Sequence, residues 1–405
     1  MTRRLDAEYA DGSSSFRFTS PRDVLYGAGA ATQFRDVVDL SKGPVLFVTD
    51  SGLVDVGVVK PILDLVESVA PSVEVVARDP HEPLASEMDE VGAAATRLRP
   101  SSIVAVGGGA TMDTAKVARV LAEFGGSVRD YEGMDLVPRV PSVPLIAFAT
   151  TSGTGSETGY GAVFTDEVTR TKRFVGSRNI IPDLAVVDPL LTLTVPPRTT
   201  GFTGLDALAQ AIGPYLSPLR HPLTDILSAE SVRLILLYLL AAYRDGSDVE
   251  ARTGMAYGSL MMGLAMNNAE CIGEHFFAEV VGPRYGMVHG HSVGVFLPYI
   301  IQFNRRVSAD RLVRLANNVL GEPSLDPDAA IDQLIESIQQ LLTDMAIPPL
   351  SEVGVREEDL PELADRVGEH IGIELGLNPR PMAREDCLAI LRATLHGTPA
   401  LELDP

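Results

Sequence analysis

The sequence predicts an α/β N-terminal domain built on a parallel sheet, followed by an all-helical C-terminal domain. Short apolar runs alternate with helical patterns up to about residue 190, as expected of parallel strands covered on both faces. One of these runs, Ile103-Val104-Ala105-Val106, passes directly into Gly107-Gly108-Gly109 and then into a helical stretch. After Pro196-Pro197 only helical spacing remains. Together these give the first half a Rossmann-like character.

In chain order, strands are expected at 45–48, 73–76, 103–106, 145–149 and 184–187, with a helix over 86–98. Helices are expected at 207–216, 223–243, 251–266, 312–320, 329–345 and 384–395. The linker is placed near 193–198, giving domains of 1–195 and 196–405. A chain of 405 residues agrees with two domains. No internal repeat or low-complexity segment is visible.

Composition excludes several function classes. No run of about 18 apolar residues stands out, so no membrane span is expected. The start, Met1-Thr2-Arg3-Arg4-Leu5-Asp6-Ala7-Glu8, lacks the apolar stretch of a signal peptide. Cys271 and Cys387 are the only cysteines, so no disulfide framework is implied and a reducing cytoplasm fits. A net charge of −21 argues against nucleic acid or an anionic membrane as partner.

Three sets of residues suggest chemistry. Gly107, Gly108 and Gly109, at a strand-to-helix turn, let backbone N–H groups approach a phosphate at a helix N-terminus. The spacing matches neither G-x-G-x-x-G nor G-x-x-x-x-G-K-[ST], so a purely structural turn stays open. Asp50 ends the strand before it, placed either to bind ribose hydroxyls and repel a 2′-phosphate or to cap the next helix. Thr150-Thr151-Ser152-Gly153-Thr154-Gly155-Ser156-Glu157-Thr158 follows another strand, where open α/β sheets bind ligands. Asp206 and Gln210 lie four apart on one predicted helix, and His275 and Glu279 on a second, with His289 after a Gly-containing turn. Asp206, Gln210, His275 and His289 offer an N/O set for a divalent ion, or are packed and solvated side chains.

These pieces, in this order, resemble the iron-containing (group III) alcohol dehydrogenase family, whose relatives include maleylacetate reductase and the dehydroquinate synthase-like folds. The resemblance runs from Tyr26-Gly27-Ala28-Gly29 to Asn378-Pro379-Arg380-Pro381. Its most specific parts are Gly107 to Lys116, Ala149 to Glu157, Pro182 to Pro189, Gly204-Leu205-Asp206-Ala207-Leu208, and His289-Gly290 followed by Leu297-Pro298. It implies a dinucleotide-binding domain, a helical metal and substrate domain, a cleft between them, and a homodimer. It also implies that Asp50 binds the adenosine ribose. Gly108, Gly109 and Asp113 would contact pyrophosphate and nicotinamide, Thr150, Thr151 and Thr154 would line the cofactor, and Lys172 would reach the nicotinamide ribose.

The metal set departs from the family pattern of one aspartate and three histidines. Asp206, His275 and His289 match, but Gln210 stands in place of a histidine, and Glu279 in place of a further active-site histidine. A neutral amide oxygen is a poor ligand for iron or zinc beside imidazole, so metal is expected to be weak or absent. Glu279 would then serve as an oxygen ligand or as acid/base, and His275 or His289 as proton donor.

The expected function is hydride transfer between NAD(P)H and a small aldehyde or alcohol, with NAD(H) favoured over NADP(H). Two alternatives stand beside it. One is a metal-independent reductase of an oxo acid or other anionic substrate, using Arg173, Arg178 or Arg284. The other is a non-catalytic nucleotide-binding scaffold.

Overall fold

A computed structural model describes residues 15–169, 171–320, 326–373 and 377–397. The N-terminal stretch judged for a signal peptide lies outside them.

Six parallel strands form the main sheet: β1 Asp23–Tyr26, β2 Val45–Asp50, β3 Val73–Arg78, β4 Ser102–Gly107, β6 Leu145–Ala149 and β9 Leu184–Val187. Their order is β1-β9-β6-β4-β2-β3. Every residue of β4, β6 and β9 is buried, which is why these strands read as unbroken apolar runs. Separate clusters of buried side chains cover the two faces. The chain runs outward from β2 to β3, then returns to the other side of β2 as β4. The direction of winding therefore switches between β2 and β4, and a crevice opens at their carboxyl ends. Asp50 ends β2 and Gly107 ends β4, so both flank it.

Four strands were not foreseen. β1 is a four-residue edge strand. The other three, β5 Gly133–Met134, β7 Gly161–Asp166 and β8 Thr171–Gly176, make a small separate sheet. β7 alternates buried and half-buried residues, and β8 opens on charged Lys172 and Arg173, so neither shows an apolar run.

Helices α1 Ser51–Asp55, α2 Lys60–Val69, α3 Ala85–Leu98 and α4 Gly109–Phe124 accompany the main sheet. The second half holds α5 Pro197–Leu216, α6 Pro222–Arg244, α7 Val249–Ala269, α8 Gly273–Arg284, α9 His289–Asn304, α10 Ala309–Leu320, α11 Pro327–Asp344, α12 Leu360–Ile373 and α13 Arg384–His396. No strand follows β9 among the described residues. α5 begins ten residues before its expected start, because Pro197 sits in the first turn, where a missing N–H does no harm. Its Gly204 packs against α6: a Cβ there would stand 2.2 Å from Leu239 Cδ1. By length and composition α6 alone among the described residues is long and apolar enough to cross a membrane, as the core helices of soluble proteins also can be. It packs between α5 and α7, with Leu223, Ile226 and Leu237 exposed on its outer side.

Candidate active site

The crevice at the winding switch widens into a cleft of about 1670 Å³, closed on its other side by α5, α8, α9 and α12. Asp50, Gly108, Gly109, Thr150, Thr151, Thr154, Lys172, Glu279 and His289 all line it. Gly107, Asp113, Asp206, Gln210 and His275 do not.

At one end Asp50 caps the following helix and also faces the cleft. Its Oδ1 accepts a hydrogen bond from Leu53 N at 3.0 Å, capping α1, while the residue still faces the cleft. Its register partner on β3 is Arg78, which also lines the cleft and is only 7% exposed. Arg78 bonds the carbonyl of His81, and its Nε has no partner among the described residues.

Next come the glycines. Gly108 caps α4 in an ordinary extended conformation, φ −81° and ψ −170°, so backbone angles do not require glycine there. Space for a ligand is what a side chain would remove. The threonine loop is held from behind. Gly155 has φ +63°, and a Cβ on it would meet Gly263 Cα at 2.6 Å, so α7 and the loop touch backbone to backbone.

Asp113 faces inward, away from the cofactor contact expected of it. Its Oδ1 accepts from Ser156 Oγ at 2.6 Å and Lys116 Nζ at 3.3 Å, and its Oδ2 from Val163 N at 2.9 Å. Lys116, fully buried, also donates to Ser156 Oγ and Gly161 O, both at 2.7 Å. Asp113 and Lys116 thus tie α4 to the threonine loop and to β7, because an unpaired buried charge would be far less stable.

Glu157, 2% exposed, completes the loop. Burial pushes its carboxyl up to about 7, against its own backbone N–H and Lys116, which lower it. The folded chain therefore holds a proton that the unfolded chain has lost above about 4.5, and stability falls as pH rises from about 4.5 to 7. Glu157→Gln is expected to remove that slope and be more stable above pH 7 by roughly 2–3 kcal/mol, with no gain below pH 4.5. Thermal or urea unfolding at pH 4.5 and 8 checks this; an equal effect at both contradicts it.

At the other end of the cleft, α5 supplies Asp206 and Gln210, α8 His275, and α9 His289 as its first residue. One ligand atom from each of Asp206, His275 and His289 gathers within 4.8 Å of the others. Asp206 Oδ1 lies 3.9 Å from His275 Nε2 and 3.6 Å from His289 Nε2. The close approach of α9 requires Gly290, where a Cβ would stand 2.0 Å from Phe202 O. Burial raises the Asp206 carboxyl to about 6, against His275, Lys172 and Gln210. Burial, with the charges of His275 and Lys172, holds His289 well below the usual range. His275 is held well above it: burial opposes this, and Cys271 and Glu274 outweigh burial.

Gln210 Nε2 donates to Asp206 Oδ1 at 3.0 Å, so the amide gives Asp206 the partner that a missing histidine would leave to a cation. Gln210 Oε1 and His275 Nε2 are buried without a hydrogen-bond partner among the described residues. An amide oxygen and a ring nitrogen, both buried without partners beside a carboxylate and a second imidazole, fit a divalent cation once the ring gives up its proton. For Gln210 to bind through oxygen, its amide must turn and break the bond to Asp206. Glu279 lines the cleft and is not among the three gathered side chains.

Lys172 Nζ crosses to Glu82 Oε1 at 2.9 Å, beside the cleft. Of the arginines considered for an anionic substrate, Arg173 is paired with Glu132, Arg284 with Glu362, and only Arg284 lines the cleft. Arg78, Glu82 and Glu274 were not singled out from sequence. For Arg78 the signal was its place at the end of the strand beside β2.

A cleft at the switch of a parallel sheet, with a glycine-rich turn on one wall and His289 of an Asp-His-His cluster on the other, is the arrangement of a nucleotide-binding enzyme with a candidate metal site. Comparison with known proteins names the family. Residues 21–189 match the iron-containing alcohol dehydrogenase model, and 200–395 match the model of the Fe-containing alcohol dehydrogenase family C-terminal region. The chain is 32% identical over 382 residues to the NAD-dependent methanol dehydrogenase of Bacillus methanolicus, covering 93% of this chain and 99% of that protein. It is 30% identical over 387 residues to an NADPH-dependent butanol dehydrogenase of Clostridium saccharobutylicum, covering 94% and 98%. The solved structure of a 1,3-propanediol oxidoreductase superposes with a TM-score of 0.87 at 30% identity, covering 94% of this chain and all of that one. The chain belongs to the iron-containing alcohol dehydrogenase family and is an oxidoreductase of that family.

Proposed function

We propose that this chain moves a hydride between NAD(H) and a small aldehyde or alcohol held where His289 meets the cleft. The observation that carries this reading is one continuous cleft running from Asp50 and Gly108 to His289, whose Nε2 joins the Asp206 cluster. Bound there, the nicotinamide would give or take the hydride and a divalent cation would polarise the substrate oxygen. The N–H groups of the α4 N-terminus hold the pyrophosphate, while Thr150, Thr151, Thr154 and Lys172 orient the rest of the cofactor. His289, the one cluster imidazole on the cleft wall, touches the substrate oxygen, and Glu279 faces the same space. Asp206, Gln210, His275 and His289 hold the cation weakly, since glutamine replaces an imidazole.

The proposal extends to a homodimer with domains meeting near residue 195, working in the cytoplasm without nucleic-acid or membrane partners. The net charge of −21 supports the lack of nucleic-acid and anionic-membrane partners, and two cysteines outside any disulfide support the compartment. NADH oxidation against a panel of aldehydes, with metal analysis of the same sample, tests the activity. Loss of activity in His289→Ala with cofactor affinity retained is the expected companion result.

NAD(H) preference rests on Asp50, whose charge would stand near a 2′-phosphate. A few ångströms in a partly screened site correspond to about 1 kcal/mol or more, roughly fivefold or more in affinity. Fluorescence titration of both cofactors checks it. Asp50→Gly is expected to narrow the gap, and equal or tighter NADPH binding by the unaltered protein contradicts it.

A further inference from the structure

We propose that Glu274 is a positioning residue that fixes the His275 ring so that its Nε2 faces Asp206 and His289. This rests on the reading of those side chains as a cation site. Glu274 is fully buried, and its Oε1 lies 3.1 Å from His275 Nδ1. Its second oxygen has no hydrogen-bond partner among the described residues. In the proposed arrangement Nδ1 carries the proton and donates to this carboxylate, beside Cys271, whose side chain also interacts with the ring. The other ring nitrogen, Nε2, is then directed at Asp206 Oδ1, 3.9 Å away, where it has no hydrogen-bond partner of its own.

Adjacent residues on a helix do not ordinarily face one another. Here, near the start of α8, the long Glu274 side chain reaches round to the ring of His275. A Cβ on Gly213 would come within 3.4 Å of Glu274 Oε1. The carboxylate thus packs directly against α5 at Gly213. A carboxylate on the far nitrogen of a ligating histidine sets its tautomer and orientation and raises the basicity of the ligating nitrogen. In a set where Gln210 replaces an imidazole, that support makes His275 a stronger donor to a cation.

The test uses the full chain labelled with 15N-histidine, metal-free, together with Zn2+ affinity by chelator competition. In the unaltered protein, His275 Nδ1 is expected to carry a slowly exchanging, downfield-shifted proton. Glu274→Ala is expected to lose that resonance and bind Zn2+ about 10–100-fold more weakly. Glu274→Gln, whose amide oxygen still accepts, is expected to keep the proton at a less shifted position and lose less affinity. If Glu274→Ala fails to fold, Glu274→Gln decides: an unchanged Nδ1–H shift overturns the proposal. An unprotonated Nδ1 in the unaltered protein, or a folded Glu274→Ala with the same resonance and affinity, also overturns it. If the unaltered protein binds no Zn2+, the cation reading fails, while the nitrogen resonance still decides the role of Glu274.

Discussion

Gly108→Val is expected to fold normally and to bind NADH at least about 100-fold more weakly, a loss of roughly 3 kcal/mol. Within the protein there is room for the change: a Cβ would meet Thr151 Oγ1 at 3.4 Å and Cγ2 at 3.7 Å, ordinary contacts. The backbone at φ −81° and ψ −170° accepts any residue. What valine takes away is the space over the N-terminus of α4, where backbone N–H groups and the helix dipole meet a pyrophosphate. The neighbouring glycines are less clean tests. A Cβ on Gly109 would press on Thr154 Oγ1 at 2.8 Å, and one on Gly107 on Thr111 at 2.5 Å, so either change disturbs the protein as well. Fluorescence titration with NADH, beside a melting curve, reads both halves. A folded Gly108→Val with unchanged affinity would show the turn to be only structural.

Gln210→His is expected to raise divalent-metal affinity by about 100-fold or more, turning weak or partial occupancy into a full equivalent. Imidazole is a far better ligand for iron or zinc than a neutral amide oxygen. The present side chain also competes with the cation, because its Nε2 occupies Asp206 Oδ1 at 3.0 Å. Elemental analysis after mild chelation, on both proteins, checks the result. A full equivalent of tightly held metal in the unaltered chain would show glutamine to be an adequate ligand. Should neither protein hold metal while both reduce an aldehyde, His275 and His289 become the candidates for direct acid catalysis without a cation.

Much of the fold was legible because buried parallel strands advertise themselves. β2, β4 and β6 each carry an unbroken apolar run, 45–48, 103–106 and 145–149, and the Gly107–Gly109 turn marks where one of them gives way to a helix. β7 and β8 were not legible, since their half-buried, charged strands form a small separate sheet with no apolar run. Motif position located Asp50, Thr150, Thr151, Thr154 and Lys172 on one cleft. It could not separate residues facing the ligand from residues supporting them. Asp113 lies in the same motif as Gly108, yet helical phase turns it inward to Ser156 and Lys116. Glu274 was hidden for a related reason: spacing rules place neighbours on different faces, and only the reach of its long side chain brings it to the His275 ring.

The most direct test of the central claim is NADH oxidation across small aldehydes, with the metal content measured on the same preparation and on Gln210→His. The account predicts NADH-dependent reduction of at least one aldehyde, abolished by Gly108→Val, with substoichiometric metal in the unaltered protein and fuller occupancy in the variant. No reduction of any aldehyde by metal-replete protein that still binds NADH would contradict it.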